Sequence, residues 1–240
     1  MIGPISFENY YLFRYIRKKP EYHVANDIIG TLVTQAPYFN DSLLILEDDF
    51  VDLSPNSTSI IGAMDAITFS TDISKSGGCS YNFSGGKRLQ VVNSQFGFGY
   101  ENFTIETWFN ARFWSAYSTV FELGMWPNSI IIRPQTLGTS LGIYCYGQDH
   151  SVAMDLDLNT WYHIAMQRKN NVWEVYLNGA LIKQFSNYVF LSADKLGIGY
   201  SIYSENQRLN GYIDLFRVTS RAKYSDPGFE PESFSKYSLE

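Results

Sequence analysis

Short runs in which apolar and polar residues alternate dominate the chain. In NFTIETWFNARF, Phe103, Ile105 and Phe109 fall on one face, and Glu106 and Trp108 fall on the other. A period of two predicts a half-buried β-strand. Similar runs, separated by glycine and serine, are SLLILEDDF, AITFST, CSYNFSG, RLQVVN, STVFELG, SIIIRPQ, LGIYCYG and KLGIGY.

The segment TWYHIAMQRKNNVWEVYLNGALIKQF predicts three antiparallel strands in a meander. Asn170 and Asn171 mark the first turn, and Asn178 and Gly179 mark the second, because Asn-Gly between alternating runs is a strong hairpin signal. Many short strands without a convincing helix indicate an all-β sandwich or barrel. FENYYLFRYIRKK, within residues 6–19, fits a helix and a strand equally well.

The closing segment GYIDLFRVT carries a carboxylate in an apolar run. If it is a regular strand, Tyr212, Asp214, Phe216 and Val218 share one face. Burying an unpaired charge is costly, so Asp214 needs a partner there.

Composition narrows the functional classes. Hydrophobic residues make up 45% of the 240 residues, which supports a sizeable core, and the net charge of −6 argues against a nucleic-acid binder. No apolar stretch is long enough to cross a membrane, and no secretory signal is visible. One basic cluster, formed by Arg14, Arg17, Lys18 and Lys19, is either a solvated turn or a docking patch for an acidic partner.

Catalytic patterns are missing from the sequence. The two cysteines, Cys79 and Cys145, are expected to be free thiols, and the three histidines do not have the spacing of a zinc site. No Gly-x-Ser-x-Gly elbow is present. No strand carries the closely spaced, alternating carboxylates of a glycoside hydrolase, so we expect no enzymatic activity.

Five segments, in this order, resemble laminin-G-like and concanavalin-A-like jelly-roll domains: LLILEDDFVDLSPNST, SKSGGCSYNFSGGKRLQV, NFTIETWFNAR, TWYHIAMQRKNNVWEVYLNGALI and GYIDLFRVTSRAKYS. Together they span residues 43–224. The last segment is similar to the ending of the copies found in virion proteins of tailed bacteriophages. The resemblance implies an all-β, two-sheet antiparallel jelly roll over residues 43–240, with residues 1–42 as an N-terminal arm.

The resemblance implies a function in a phage particle. We expect a non-enzymatic structural virion protein, such as a capsid decoration, head fibre or tail component, that meets other virion proteins through the arm. It would be made in the host cytoplasm as part of a larger assembly. The alternative is an adhesin that binds glycans of the host surface.

The resemblance also implies candidate sites. In the family, the aspartate of the last strand often helps to hold Ca²⁺, which here means Asp214 with backbone near Asp49 and Gly85. The alternative is that Asp214 accepts N–H groups of a neighbouring loop, with no cofactor required. Glycan sites in such folds use exposed aromatic residues, and each candidate has a core position as its alternative. These candidates are Trp114, Tyr117, Trp126, Tyr144 and Tyr146.

Overall fold

The computed structural model describes residues 54, 67–75, 78–225 and 227–231, together with the backbone of residues 42–46. The basic cluster of the predicted arm, the segment at residues 6–19 and Asp49 lie outside these ranges. In the described part of the chain, no helix is long and apolar enough to span a membrane.

Fifteen strands and two short 3-10 helices, Ser94–Phe96 and Thr136–Gly138, make up the described elements. The strands are β1 Ser42–Leu46, β2 Thr68–Ser70, β3 Ser80–Asn82, β4 Leu89–Val92, β5 Phe103–Phe113, β6 Phe121–Met125, β7 Asn128–Gln135, β8 Ser140–Cys145, β9 Gln148–Asp149, β10 Val152–Ala153, β11 Trp161–Lys169, β12 Val172–Leu177, β13 Ala180–Ser186, β14 Lys195–Ile198 and β15 Asn210–Thr219.

The strands form two antiparallel sheets, which confirms the predicted all-β jelly-roll sandwich. The eight-stranded sheet has the order β13-β12-β11-β5-β15-β3-β2, and β1 also pairs with β15. The seven-stranded sheet has the order β10-β8-β7-β6-β14-β4, and β9 pairs with β8. Consecutive strands β11, β12 and β13 form the predicted meander, with positive φ at Asn170, Asn171, Asn178 and Gly179 in its turns.

The core lies between the sheets and is filled by alternate residues of the strands. In β5, Phe103, Ile105 and Phe109 are fully buried in this core, as the period of two predicts. In the seven-stranded sheet, Ile130 and Ile132 of β7 also point inward. The intervening residues face away from the partner sheet, and each sheet therefore presents an outer face.

A β-bulge in β15 makes the predicted face of Asp214 wrong. Asp214 pairs with Trp108 and Arg217 pairs with Glu106, so β15 has one residue more than β5 between these pairs. Leu215 takes up the extra length with a φ of 55°. A bulge of this kind reverses the alternation that follows it.

The bulge determines which side chains of β15 face the core. Ile213, Phe216 and Val218 belong to the core, whereas Asp214 does not. Asp214 shares the outer face of the eight-stranded sheet with Arg217, whose guanidinium bonds to Glu106 of β5. The carboxylate is therefore separated from the phenylalanine and valine with which the regular pattern had placed it.

Candidate functional site

The described residues that follow β15 cover part of the outer face of the eight-stranded sheet. We call residues 221–225 and 227–231 the C-terminal cover. Its Tyr224 and Phe229 rings stack at 3.5 Å between centroids, and Phe229 also packs against Tyr176 and His163. The side chain of Gln167 bonds to the backbone of Lys223 and Tyr224, which ties the cover to β11.

Glu106 lies at the centre of the polar network beneath the cover. Its carboxylate accepts hydrogen bonds from Arg217 Nε at 2.9 Å, Lys223 Nζ and the Tyr224 hydroxyl, and His163 Nε2 lies 3.4 Å away. Burial alone would raise its pKa, but the charges of Arg217 and Lys223, together with His163, hold the pKa well below its ordinary value. The network therefore fastens the cover to the sheet.

Asp214 anchors a loop on the same face. Its Oδ2 accepts the backbone N–H of Lys75 at 2.7 Å, and the Lys75 ammonium lies 4.2 Å from the centre of the Trp108 ring. This is the loop contact predicted as the alternative to calcium. Gly85 lies three residues beyond Asn82, whereas Asp214 lies on the opposite side of the Asn82–Tyr212 pair, so the structure does not bring Gly85 to Asp214.

The outer face of the seven-stranded sheet is partly open. Strand register places Glu122 of β6, Ile131 of β7 and Tyr144 of β8 side by side on it. The loop at residues 199–209, which we call the covering loop, crosses one part of this face. It packs closely at Gly197, where a Cβ atom would lie 2.9 Å from Ile202 Cγ1.

Glu122 connects the covering loop to the turn between β6 and β7. It is fully buried, and its Oε2 accepts the Ser201 hydroxyl at 2.7 Å and the Tyr203 N–H at 3.3 Å. Its Oε1 accepts the Trp126 N–H at 3.1 Å. The rings of Trp126 and Tyr203 meet at 4.8 Å between centroids, and these side chains remain 42% and 58% exposed.

A second polar and aromatic pair lies on the same face. The Arg133 guanidinium sits 4.5 Å from the centre of the Tyr117 ring and donates from Nη1 to Gln207 of the covering loop at 2.7 Å. Gly142 of β8 pairs with Arg133, and a Cβ atom there would lie 3.1 Å from Arg133 Cγ, so the glycine permits the close approach of the Arg133 side chain. We call Trp126, Tyr203, Tyr144, Tyr117 and Arg133 the outer-face site.

The five residues predicted to bind glycan do not all lie at the surface: some lie on an outer face, and others lie in or against the core. Trp126, Tyr144 and Tyr117 lie on one outer face. The prediction is wrong for Trp114, which is 6% exposed, belongs to the core and donates from Nε1 to the Leu156 carbonyl at 3.0 Å. Tyr146 is partly buried against the core, and this burial raises the pKa of its hydroxyl.

Sequence reasoning missed Glu122, Tyr203 and Arg133. Glu122 had a detectable signal, because it is the one acid in the apolar run STVFELG and takes an outward position. Tyr203 had none, since it lies in an irregular loop whose path over the sheet depends on tertiary packing.

The described residues contain no cluster of three or more His, Cys, Asp or Glu side chains that could hold a metal ion. Cys145 is a buried thiol, and burial raises its pKa to about 12. Glu106 and Glu122 are buried on different sheets, each with its oxygens engaged by the protein. The outer-face site offers flat rings, a cation and hydrogen-bonding groups.

Residues 83–226, more than half of the chain, match the family described as the concanavalin A-like lectin/glucanases superfamily. No curated protein matches the sequence.

Solved structures show a similar fold at low identity. The binding domain of botulinum neurotoxin serotype D is 18% identical, with a TM-score of 0.60 over 79% of this chain and 51% of that one. The binding domain of botulinum neurotoxin DC in complex with SialylT is 13% identical, with a TM-score of 0.56 over 81% and 49%. Trypanosoma rangeli sialidase is 12% identical, with a TM-score of 0.56 over 75% and 30%. The chain thus spans about half of each neurotoxin domain and about a third of the sialidase.

Proposed function

Because the chain belongs to the concanavalin A-like lectin/glucanase superfamily, we propose that it is a non-enzymatic carbohydrate-binding protein. The observation that carries this proposal is the exposed Trp126–Tyr203 pair, whose two backbone N–H groups donate to the buried carboxylate of Glu122. A sugar ring has C–H groups on its faces and hydroxyl groups around its edge. It therefore suits a site that combines flat aromatic rings with hydrogen-bonding groups.

The outer-face site supplies both kinds of contact. Trp126 and Tyr203 offer ring surface, and the anchoring of both backbones by Glu122 limits the ordering entropy of binding. Tyr144, Tyr117 and Arg133 offer hydroxyl and guanidinium groups for sugar hydroxyls. Binding at such a site needs no chemical step.

The absence of catalysis is also part of the proposal. A glycoside hydrolase needs two carboxyl groups about 5–9.5 Å apart, one of them available to a water or a sugar. The oxygens of Glu122 already accept three hydrogen bonds. Asp149, which pairs with Tyr144 at the edge of this face, is exposed and bonds to Ser151. Neither acid has the environment of a catalytic pair.

A glycan array that includes bacterial surface polysaccharides tests the proposed function. We expect the full chain to bind a subset of the glycans and to leave them intact. Trp126→Ala should weaken binding to the best of them about tenfold, equivalent to about 1.4 kcal/mol. Phe113→Ala is the matched control, because Phe113 is an exposed aromatic residue outside the site. Equal binding by both variants would reject the outer-face site, and no binding to any glycan would reject the proposed function.

We further propose that this binding protein belongs to a phage virion. The support is the closing segment GYIDLFRVTSRAKYS, which is similar to the ending of phage copies of the domain. In the structure, this segment forms β15 and begins the C-terminal cover. Deleting residues 1–40 should leave a folded, glycan-binding domain that no longer joins the particle, as measured by protein composition of purified virions. Normal incorporation of the truncated chain would reject the role of residues 1–40, and absence of the full chain from purified virions would reject the virion proposal.

A further inference from the structure

Three exposed aromatic rings form a compact group outside the outer-face site. Tyr100 lies in the loop before β5, and Tyr188 and Phe190 lie in the loop after β13. Tyr100 and Tyr188 stack at 4.6 Å between centroids, and Phe190 meets Tyr100 edge-on at 5.3 Å. Their exposed fractions are 47%, 69% and 58%. We call these three residues the aromatic ridge.

The two loops that carry the ridge are held together by backbone pairing. Gly99 and Leu191 exchange two hydrogen bonds, at 2.8 and 2.9 Å. Gly99 has a φ of 53°, and a Cβ atom there would lie 3.2 Å from the Phe190 ring. The glycine thus permits both the turn of the backbone and the close approach of the ring.

A buried arginine completes this scaffold. Arg168 of β11 is fully buried and donates to the carbonyls of Gly99 at 2.9 Å, Glu101 at 2.9 Å and Val189 at 3.1 Å. A buried guanidinium is stable only while its hydrogen bonds are made. Separating the loops would leave this cation without these acceptors, so Arg168 holds together the two loops that carry the rings.

The size of the ridge indicates what it can bind. An aromatic side chain has about 200 Å² of surface, so the three rings together expose on the order of 350 Å². A stable protein interface needs about 800 Å² from each partner. The ridge is less than half that size, but it is large enough to contact one or two sugar rings. Preorganised rings also reduce the entropy lost when a small ligand binds.

We propose that the aromatic ridge is a second carbohydrate site, which stacks on the C–H face of a pyranose ring. It belongs to the same ligand class as the proposed function but depends on different residues. The loop of Tyr188 and Phe190 continues to Ala193, which lies 3.5 Å from the position of a Cβ at Gly124, two residues before Trp126. The ridge and the Trp126 part of the outer-face site therefore lie towards one end of the sandwich, where one polysaccharide could contact both and gain avidity.

NMR of the full chain with ¹³C-labelled aromatic rings tests the ridge. The probes are methyl β-D-glucopyranoside and methyl β-D-galactopyranoside, each titrated to 50 mM. We expect the resonances of Tyr100, Tyr188 and Phe190 to shift and saturate with at least one probe, with a Kd of about 1–10 mM. Trp126→Ala should change the Kd at the ridge less than twofold, whereas Tyr188→Ala should weaken it at least fivefold.

The outcomes separate the two sites. Shifts confined to Trp126 and Tyr203 would reject the ridge and leave the proposed function standing. Shifts confined to the ridge would reject the outer-face site instead. Ridge shifts that depend on protein concentration without sugar, with a doubled mass in sedimentation, would show that a second copy of the chain occupies the ridge and would overturn its assignment to carbohydrate.

Discussion

The outer faces of the two sheets each contain a buried glutamate on a central strand, but the surroundings of the two glutamates differ. Glu106 of the eight-stranded sheet lies under the C-terminal cover and is surrounded by cations. Glu122 of the seven-stranded sheet accepts a hydroxyl and the backbone N–H groups of Trp126 and Tyr203, and the rings of these two residues are exposed.

If the proposed function is correct, this difference distinguishes a structural polar group, Glu106, from a functional one, Glu122. At Glu106 the bonds to Lys223 and Tyr224 attach the C-terminal cover to the sheet. At Glu122 the bonds position Trp126 and Tyr203, whose rings remain exposed. A buried acid alone therefore says little about function. What its partners present to solvent is more informative.

The largest loss of stability is expected from substitution of Glu106, beneath the C-terminal cover. Glu106→Gln removes the negative charge to which the buried cations Arg217 and Lys223 bond. Loss of one partner from a buried ion pair costs about 3–5 kcal/mol, and we expect that decrease in the free energy of unfolding by urea denaturation. Asp155→Asn, at an exposed acid, is the control and should change it by less than about 0.5 kcal/mol.

The stability contributed by Glu106 should also depend on pH. Its pKa in the folded protein lies well below the ordinary 4.5. As the pH falls below about 4.5, Glu106 becomes protonated in the unfolded chain but stays ionised in the folded protein. The free energy of unfolding therefore decreases. Glu106→Gln should flatten this part of the pH–stability curve. An equal slope in both proteins below pH 4.5 would contradict the assignment.

The next largest loss of stability is expected from substitution of Asp214. Asp214→Asn weakens the hydrogen bond to the Lys75 N–H in a buried position, and bonds to charged groups contribute about 1.5–3 kcal/mol. We expect a loss of about 2 kcal/mol with glycan binding retained. Because this carboxylate already holds a loop, EDTA should leave the wild-type melting temperature unchanged. A lower melting temperature in EDTA, restored by calcium, would instead support the calcium prediction.

The sequence predicted the sandwich because alternation is a local property. In β5 each inward residue follows from a period of two, and in the meander the asparagine turns mark the strand ends. The bulge in β15 was not predictable in this way. Leu215 carries no turn signal, and its positive φ is held by the pairs on either side, Asp214 with Trp108 and Arg217 with Glu106. One extra residue in β15 therefore places Asp214 on the face opposite to Phe216 and Val218, contrary to the regular alternation.

The candidate site was predicted in part for a similar reason. Trp126 occupies a two-residue turn, and a turn residue is readily expected at the surface. Trp114 follows the end of β5, and only the packing of Gly138 and the Leu156 carbonyl around its ring shows that it is buried. Tyr203 joins Trp126 across 77 residues of sequence, a distance that no local pattern spans.

The smallest expected change in stability comes from Glu122→Gln. This variant also tests whether the outer face of the seven-stranded sheet binds glycan. Glutamine can still accept through Oε1, but its amide cannot accept the Tyr203 N–H. We expect about 1 kcal/mol of lost stability and about threefold to tenfold weaker binding to the best array glycan, measured by calorimetry. Glu205→Gln is the matched control, since Glu205 is an exposed acid in the same loop. If Glu122→Gln lost stability but bound the glycan like wild type, Glu122 would resemble Glu106, and the contrast between the two faces would fail.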